Sequence, residues 1–172
     1  FKNMNNLPKK KLLILCIALG IFAGFFIKLF LLDIYHISGK SMEPTLKDGS
    51  KVAVSKIAYG LLIPFTQNFL IKWSEPKKDD IVIFLHENKI VIKRCVAVGG
   101  DKLDFLINSQ YTLSLGETKI PISKEQFKNL SQFSQVPQGY IMAIGDNYDY
   151  SIDSRDYGFI STKNIMGKVI KK

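Results

Sequence analysis

Three short segments of the sequence carry residue types that could perform nucleophilic catalysis, and the first contains a serine in a constrained turn. Ser41 lies in SGKSMEPTL, residues 38–46, where Gly39 and Pro44 restrict the backbone on either side of it. A surface serine in such a loop usually only forms the turn. The nucleophile-elbow pattern G-x-S-x-G is not met, because Glu43 stands where the second glycine would be. An α/β-hydrolase fold is therefore disfavoured.

The second segment places a lysine in an otherwise apolar strand pattern. In IVIKRCVAVGGD, residues 90–101, strand alternation puts Lys93 on one face with valine, cysteine and alanine, and Arg94 on the other face. The ordinary explanation is an edge strand whose lysine discourages aggregation. The alternative is a general base, whose pKa must fall by roughly 2 to 3 from ~10.4 for the amine to be neutral near pH 8. Burial can produce a change of that size, and an apolar setting is what a lysine base requires.

The third segment is GDNYDYSIDSRDYGF, residues 145–159, which is dense in small polar and acidic side chains. As a calcium loop read from Asp149 it fails, because Ser154 stands at the sixth position where glycine is needed and Ile160 at the twelfth where glutamate belongs. We expect neither a metal nor another cofactor. A pairing of Asp153 with Arg155 across a tight loop would instead position the Ser151 hydroxyl for another group.

In this order, and preceded by an apolar span, the three segments and DIVIFL (residues 80–85) closely resemble the bacterial type I signal peptidases, or leader peptidases. These are serine proteases with a Ser/Lys dyad, and the resemblance extends to Phe159 except for about residues 103–135. It implies that Ser41, in S-M-x-P-T, is the nucleophile and that Lys93, in the K-R pair, is the general base. Ser151 matches the serine that hydrogen-bonds and orients this lysine. Three further positions match residues that brace the family's site: Asp146, Asp153 and Arg155.

The chain departs from the family pattern near both catalytic loops. Tyr148 replaces a common arginine and Tyr150 a common asparagine in the last motif. Gly39 precedes the nucleophile by two residues, as in many Gram-positive members, where Gram-negative members often carry a serine that contributes its hydroxyl to the oxyanion hole. Ser38 lies one position too early for that role, so the Ser41 backbone N–H remains the candidate oxyanion donor.

The resemblance also separates this chain from relatives that use histidine. Lysine as the base indicates a bacterial-type enzyme, since archaeal and endoplasmic-reticulum relatives carry histidine at that position. His36 and His86 are then spare, and neither lies in a motif. A Ser-His-Asp triad is accordingly the disfavoured alternative.

The elements that must position these residues are mainly strands. Residues 80–85 and 89–98 are β-branched runs separated by three turn residues, the pattern of a β-hairpin. We predict a mostly β, signal-peptidase-like catalytic domain over residues 33–172, in which about residues 103–135 form a variable inserted subregion. A short helix is predicted over residues 125–133. Further strands are predicted at residues 51–58, 103–107, 111–115, 140–144 and 165–170.

Residues 12–32 predict one transmembrane anchor. The run is apolar except for Lys28, which lies near its distal end where a long side chain can reach the interface. Three lysines at residues 9–11 precede it, so the positive-inside rule predicts a cytoplasmic tail over residues 1–11 and an extracytoplasmic catalytic domain. A cleavable secretory signal is less favoured, because the run is longer than a usual h-region and no small-x-small site follows it. We therefore expect a single-pass protein of the bacterial cytoplasmic membrane.

Composition excludes several other classes of protein. The net charge is +9, but the lysines are scattered and only two arginines are present, so we expect no nucleic-acid partner. A basic balance fits work beside an anionic bilayer at least as well. Cys16 lies in the apolar run and Cys95 beyond it, so the two do not define a disulfide framework.

The resemblance implies a substrate as well as a reaction. The expected partners are signal peptides of secretory preproteins, bound as an added strand and cut after Ala-x-Ala, with Met42 and Ile92 beside the dyad as guesses for the pocket lining. The apolar stretch 60–73 is either a surface that dips into lipid or an ordinary core strand and loop. Two alternatives remain: a specialised conjugative-transfer peptidase that processes pilin, and a non-enzymatic membrane-tethered homologue.

Overall fold

One apolar helix leads into a β-rich body in the computed structural model, which describes residues 8–63, 69–108 and 110–171. Helix α1 spans Lys9–Phe26 and continues as a π-helical turn, Ile27–Leu31. None of these residues is buried against the body. The 23 residues from Lys9 to Leu31 extend about 35 Å, which exceeds a ~30 Å hydrocarbon core. Length, composition and exposure therefore fit the predicted membrane anchor.

The body is built on a seven-stranded sheet in which every neighbouring pair is antiparallel, with the strand order β1-β2-β12-β5-β6-β10-β11. A two-stranded hairpin, β3-β4, and a three-stranded sheet, β7-β8-β9, accompany it. The predicted mostly β fold is confirmed. The strands are β1 Leu32–His36, β2 Lys51–Ser55, β3 Gly60–Leu62, β4 Phe69–Lys72, β5 Ile81–His86, β6 Lys89–Val98, β7 Asp104–Ile107, β8 Tyr111–Leu115, β9 Thr118–Ile122, β10 Tyr140–Ile144, β11 Ile160–Ser161 and β12 Ile165–Lys171.

The predicted hairpin is formed by β5 and β6. The two strands pair without a register break from Ile81↔Arg94 to His86↔Lys89. Glu87 and Asn88 form the turn with φ values of 48° and 61°. Two successive left-handed residues match the twist of the flanking strands, and asparagine tolerates that conformation well.

The inserted subregion has a core of its own. Strands β7, β8 and β9 form its sheet, and helix α2, Lys124–Leu130, begins at a capping box between Ser123 and Gln126. The predicted helix is thus confirmed, although it begins and ends earlier than predicted. Apolar side chains of this subregion pack against Ala97, Met142 and Ile144 on the main sheet. The subregion therefore supports the strands that carry Lys93 and the 145–153 loop.

The β3-β4 hairpin presents apolar side chains outward. Leu70 and Trp73 are 63% and 56% exposed, and Ile71 is similarly exposed. Residues 64–68 of the apolar stretch 60–73 lie outside the described residues. The described part is not simply core strand, because these side chains face away from the body.

A buried polar network joins the start of β5 to the strands around it. Asp80 accepts a hydrogen bond of 2.8 Å from the Tyr59 hydroxyl and pairs with the Lys168 ammonium at 2.5 Å. Its backbone carbonyl accepts from the Cys95 N–H at 2.8 Å, two residues beyond Lys93 on β6. The network therefore holds β5 against β6 close to Lys93.

Replacing Tyr59 with phenylalanine is expected to lower the free energy of unfolding by about 1–2 kcal/mol, because the buried Asp80 carboxylate loses one of its donors. Chemical denaturation of the detergent-solubilised protein measures the change. Tyr140→Phe is the matched control, since that ring is 42% exposed, and its effect should stay within about 0.5 kcal/mol. Equal stability of the two variants would contradict a structural role for the network.

Candidate active site

Ser41 lies in a turn that the apolar core holds from below. The Ser41 loop, residues 38–46, follows β1, and Met42 and Leu46 within it are each only 2% exposed. Both pack in a cluster with side chains of β2, β5 and β12. Gly39 has a φ of 100° and donates its N–H to the Asp48 carboxylate at 2.9 Å, a conformation that favours glycine. The loop is therefore anchored on both sides of the serine.

Lys93 lies on β6 with its amine against this serine. Its Nζ donates to the Ser41 Oγ at 2.8 Å, and the residue is 4% exposed. Burial lowers the pKa of Lys93 below its ordinary value, and the negative charge of Asp153 opposes part of that effect. The predicted alternation of β6 holds around the lysine, since Lys93 and Cys95 are buried and Arg94 between them is only half-buried. Ala97 was predicted on the same face as Lys93, and this was wrong: a bulge at Val96 turns Ala97 to the opposite face, where it packs with Met142. A neutral amine in this position can accept the proton of the hydroxyl that it contacts.

Arg94 joins β6 to the two loops of the site. Its Nε and Nη2 each donate to one carboxylate oxygen of Asp146 at 2.7 Å, in a bidentate pair. The same guanidinium donates to the Asp79 carbonyl at 3.1 Å and to the Thr45 hydroxyl at 3.4 Å. The structure thus pairs Asp146 with the residue next to Lys93, and the bracing role that the resemblance implies for it stays a prediction. Arg94 was not among the predicted site residues, although its position beside Lys93 in the K-R pair was a usable signal.

The 145–153 loop also contacts the Ser41 loop directly. The Asn147 N–H donates to the Ser41 carbonyl at 3.0 Å, and its side-chain amide donates to the Lys40 carbonyl at 3.1 Å. Gly145 lies between the two loops: a Cβ there would stand 2.5 Å from the Ser41 carbonyl oxygen and 2.7 Å from the Ser151 Cβ. Asn147 was missed from the sequence, while its place in the G-D-N motif was the signal that could have found it.

A fully buried ion pair lies behind the lysine. Asp153 is 0% exposed and accepts from the Arg155 Nε at 2.9 Å, so the predicted pairing across the tight loop is present. Arg155 also donates to the carbonyl oxygens of Tyr148 and Ser151, at 2.8 and 3.2 Å. The other Asp153 oxygen accepts from the Gly145 N–H at 3.0 Å. The pair therefore fixes the path of the whole 145–153 loop.

Ser151 is brought to this cluster, but its hydroxyl bonds to Asp153. The Oγ donates to the Asp153 Oδ2 at 2.5 Å, and the structure shows no hydrogen bond between Ser151 and Lys93 among the residues it describes. The role of orienting the lysine, which the resemblance implies for Ser151, therefore stays a prediction. Gly145 lies directly against the Ser151 side chain, so the serine is packed in place.

A cleft of about 560 Å³ opens over the Ser41–Lys93 contact. Met42 and Ile92, the two guessed pocket residues, both line it. Residues before the serine form one wall and the first half of β6 forms another. Its remaining lining is Tyr35, His36, Ile37, Ser38, Gly39, Lys40, Ile90, Val91, Tyr150 and Ile152.

Neither histidine takes the place of Lys93. His86 stacks on Tyr157 with ring centroids 3.9 Å apart. His36 is exposed at the end of β1 and borders the cleft. Within the described part of the chain, the Ser41 hydroxyl has Lys93 as its hydrogen-bonding side chain, so the geometry gives no support to a Ser-His-Asp triad.

Comparison with known proteins finds similarity along nearly the whole chain. The sequence profile described as "Signal peptidase, peptidase S26" matches residues 9–171. Signal peptidase IB of Staphylococcus aureus (strain Mu50 / ATCC 700699) is 32% identical over 181 residues, which cover 94% of this chain and 88% of that protein. Signal peptidase I of Buchnera aphidicola subsp. Baizongia pistaciae is 26% identical over 219 residues, covering 85% of this chain and 71% of that protein.

Among solved structures, a signal peptidase I from Enterococcus faecalis V583 is 20% identical, with a TM-score of 0.41, and the match covers 56% of this chain and 98% of that one. That similarity is too distant for a conclusion about the fold. The profile match and the staphylococcal relative carry the assignment, since each extends over most of the chain. The chain belongs to the signal peptidase family, peptidase S26.

Proposed function

We propose that this chain is a membrane-anchored serine endopeptidase that removes signal peptides from exported proteins, with Ser41 as nucleophile and Lys93 as general base. The observation that carries the proposal is the 2.8 Å contact between a buried amine and a serine hydroxyl at the floor of an open cleft. Relatives named signal peptidase I and IB support the substrate class. The sequence resemblance assigns the same two residues to the same roles.

The chemistry is acyl transfer in two steps. Neutral Lys93 takes the Ser41 hydroxyl proton as Oγ attacks the scissile carbonyl carbon, and the resulting ammonium then protonates the leaving amine as the peptide bond breaks. In the second step Lys93 takes a proton from water as its oxygen attacks the acyl-enzyme ester. The proton then returns to Ser41 Oγ as the ester bond breaks and the carboxylic acid leaves.

The oxyanion of each tetrahedral intermediate needs a donor at the nucleophile. The Ser41 backbone N–H makes no hydrogen bond to any residue that the structure describes, so it is available for this role. Gly39 has no side chain that could add a second donor, and Ser38 is exposed on the cleft wall. One such donor is typically worth ~3 to 4 kcal/mol of barrier.

The bracing residues act by holding the two catalytic loops in place and do not contact the reacting atoms. Arg94 and Asp146 hold the Ser41 loop against the 145–153 loop, and Asp153 with Arg155 holds the latter behind Lys93. We propose that the Ser151 hydroxyl, which donates to Asp153, turns to the Lys93 amine when substrate fills the cleft. This assignment follows the resemblance and the packing of Ser151 beside Gly145.

The first half of β6 is suited to bind the substrate as an added strand. β6 pairs with β5 over Lys89–Arg94, whereas β10 pairs with it only from Arg94 onward. Residues 89–93 therefore have no strand partner on the β10 side within the described ranges, and this open edge borders the cleft. An extended peptide can bond there, with alternate side chains directed toward Met42 and Ile92. The expected small-x-small preference before the cut follows from the resemblance.

Membrane anchoring would place enzyme and preprotein at one bilayer face. Helix α1 is the anchor, and the lysines at residues 9–11 favour a cytoplasmic amino terminus with the catalytic domain outside the cytoplasm. The exposed apolar side chains of the β3-β4 hairpin support an additional contact with lipid. Confinement to one surface raises the effective concentration of substrate without a new contact at the active site.

Ser41→Ala and Lys93→Ala are each expected to lower kcat/KM for an Ala-x-Ala preprotein by roughly 10³-fold or more, because each removes one half of the acyl-transfer unit. The test is cleavage by detergent-solubilised enzyme. The matched controls are Ser131→Ala, at an exposed serine that ends helix α2, and Lys78→Ala, at an exposed ion pair with Asp101. Substantial activity in Lys93→Ala would contradict Lys93 as the general base and would make the two histidines the next candidates. An inactive wild type would favour the pilin-processing or non-enzymatic alternative, and a pilin precursor distinguishes these two.

The pH profile tests the state of the base. Because burial lowers the pKa of Lys93, the amine becomes neutral at a lower pH than free lysine, with its ordinary pKa of ~10.4. We expect kcat/KM of the wild type to rise with pH along one limb whose midpoint lies below that value. Denaturation curves at each pH exclude unfolding as the cause. A flat profile across pH 6–10 would contradict a titrating lysine base.

Gly145→Ala is expected to lower kcat by roughly 10²-fold, because the new methyl group must displace either the Ser41 carbonyl or the Ser151 side chain by a fraction of an ångström to about one ångström. Gly24→Ala is the matched control, since a Cβ there has nothing within 4 Å. Both variants are compared by kcat and by thermal denaturation. Full activity in Gly145→Ala would show that the two loops do not need this close approach.

A further inference from the structure

The 145–153 loop carries two large apolar side chains that stand exposed beside the active-site cleft. Tyr150 and Ile152 are 71% and 75% exposed, whereas Ser151 and Asp153, which alternate with them, are buried. Both exposed side chains line the cleft. No residue that the structure describes covers them, so a peptide in the cleft can contact them.

The backbone of this segment is held from behind. The Tyr150 N–H donates to the Asn147 carbonyl at 3.2 Å, and Arg155 donates to the Ser151 carbonyl, also at 3.2 Å. The buried pair of Asp153 with Arg155 follows directly. A backbone that is already fixed loses little conformational freedom when a ligand covers it, which favours binding. The two exposed side chains therefore extend from a fixed backbone at the rim of the cleft.

The two faces of β6 differ in what packs on them. Ile92 belongs to the cluster that contains Met42, on one face. Val91 points to the opposite face, where Tyr157 of helix α3, Ser154–Tyr157, packs in the same cluster. Helix α3 begins directly after the 145–153 loop. The loop, with its two exposed side chains, therefore borders the cleft on the Val91 face.

An extended peptide added at the open edge of β6 directs alternate side chains to opposite faces of the sheet. Under the proposed function, the first and third side chains before the cut point toward Met42 and Ile92. The side chain between them then points to the other face. We propose that Tyr150 and Ile152, with Val91, form a subsite for this middle side chain and select a large apolar residue there. This inference rests on the proposed function and adds a substrate preference to it.

The size of the preference follows from how far the subsite is enclosed. Tyr150 stands where the resemblance gives a common asparagine, and its ring adds an apolar face that a ligand can remove from water. One methylene group in an enclosed enzyme pocket discriminates between substrates by about 10- to 200-fold. This subsite is open on its solvent side. We therefore expect a middle phenylalanine to exceed a middle alanine by about tenfold in kcat/KM.

The test uses the whole chain, solubilised in detergent, and short peptides that differ at one position. Each peptide carries Ala-x-Ala before the cut, with phenylalanine, leucine, glutamine or alanine as the middle residue. Pairs of peptides compete in one reaction, so the product ratio, read by mass spectrometry, gives the ratio of kcat/KM values whatever the active fraction of enzyme. Leucine and glutamine are similar in size, so their ratio separates apolar contact from fit. The wild type is expected to prefer phenylalanine and leucine by about tenfold.

Variants of the rim test whether these side chains carry the preference. Tyr150→Asn and Ile152→Ala are each expected to lower the phenylalanine-to-alanine ratio by about threefold or more, and together to bring it near one. Tyr150→Phe keeps the apolar ring and should keep the ratio. Ile107→Ala is the matched control, since Ile107 is 59% exposed on β7 and is not part of the cleft lining, and it should keep the wild-type ratio.

The outcomes distinguish failure of this inference from failure of the proposed function. A wild-type ratio near one, or equal cleavage of the leucine and glutamine peptides, would overturn the subsite while cleavage itself still supported the protease. Uniform slowing of every peptide in the rim variants, with the ratio unchanged, would show that the side chains serve only the structure of the loop and would also overturn it. Failure of the wild type to cleave any peptide would contradict the proposed function itself, and the subsite would fall with it.

Discussion

The burial of one amine, that of Lys93, is the constraint on which the rest of this structure depends. An ammonium in an apolar setting loses hydration, which is why burial is the largest cause of its lowered pKa. The residue is 4% exposed, yet its Nζ lies at the floor of an open cleft and contacts the Ser41 hydroxyl. A buried amine of this kind persists only where the packing around it holds it in place despite the lost hydration. Strand β6 holds Lys93 opposite Val82 of β5, and its later residues pair with β10.

The charges around Lys93 are arranged so that no carboxylate forms a direct ion pair with it in the described structure. Asp153, the acidic group with the largest effect on its pKa, is occupied by Arg155, by the Ser151 hydroxyl and by the Gly145 N–H. Asp146 is occupied by Arg94. A direct carboxylate partner would stabilise the ammonium and raise the pKa, which would make the base unavailable near neutral pH. The two arginines therefore pair with the acids that could otherwise keep the lysine protonated.

The same body is connected to an apolar helix, and no residue of that helix is buried against the body. In water that exposure would be costly, while in a bilayer it is the ordinary condition of a spanning helix. β1 begins where the helix ends. Lys56 contacts the last turn of the helix, at the Lys28 and Leu31 carbonyls, and Asp33 on β1, so it joins the apolar helix to the sheet. Catalytic geometry and membrane geometry thus belong to one continuous hydrogen-bonded path along β1.

The sequence by itself determined the features that depend on local pattern and on motifs: the hairpin, the apolar helix and the identity of the site residues. Alternation and turn residues predicted the β5-β6 hairpin, and the apolar run predicted the helix, because side-chain periodicity and length report directly on burial and on lipid. The motifs identified Ser41, Lys93, Asp146, Asp153 and Arg155 as one group, and the structure brings them together. The short strands β1, β3, β4, β9 and β11 were not predicted, since their residues lack a clear alternation. β1 and β11 also depend on partners well separated from them along the chain.

Only the tertiary structure decided how these residues meet. Arg94 and Asn147 join the two loops through contacts 49 or more residues apart along the chain, a separation at which pattern says nothing. The hydroxyl of Ser151 turned to Asp153, because a charged acceptor two residues away competes with the amine of Lys93. The lowered pKa of Lys93 likewise follows from burial by segments before and after it. Sequence names the groups that can react, and packing between distant segments sets their distances and their protonation.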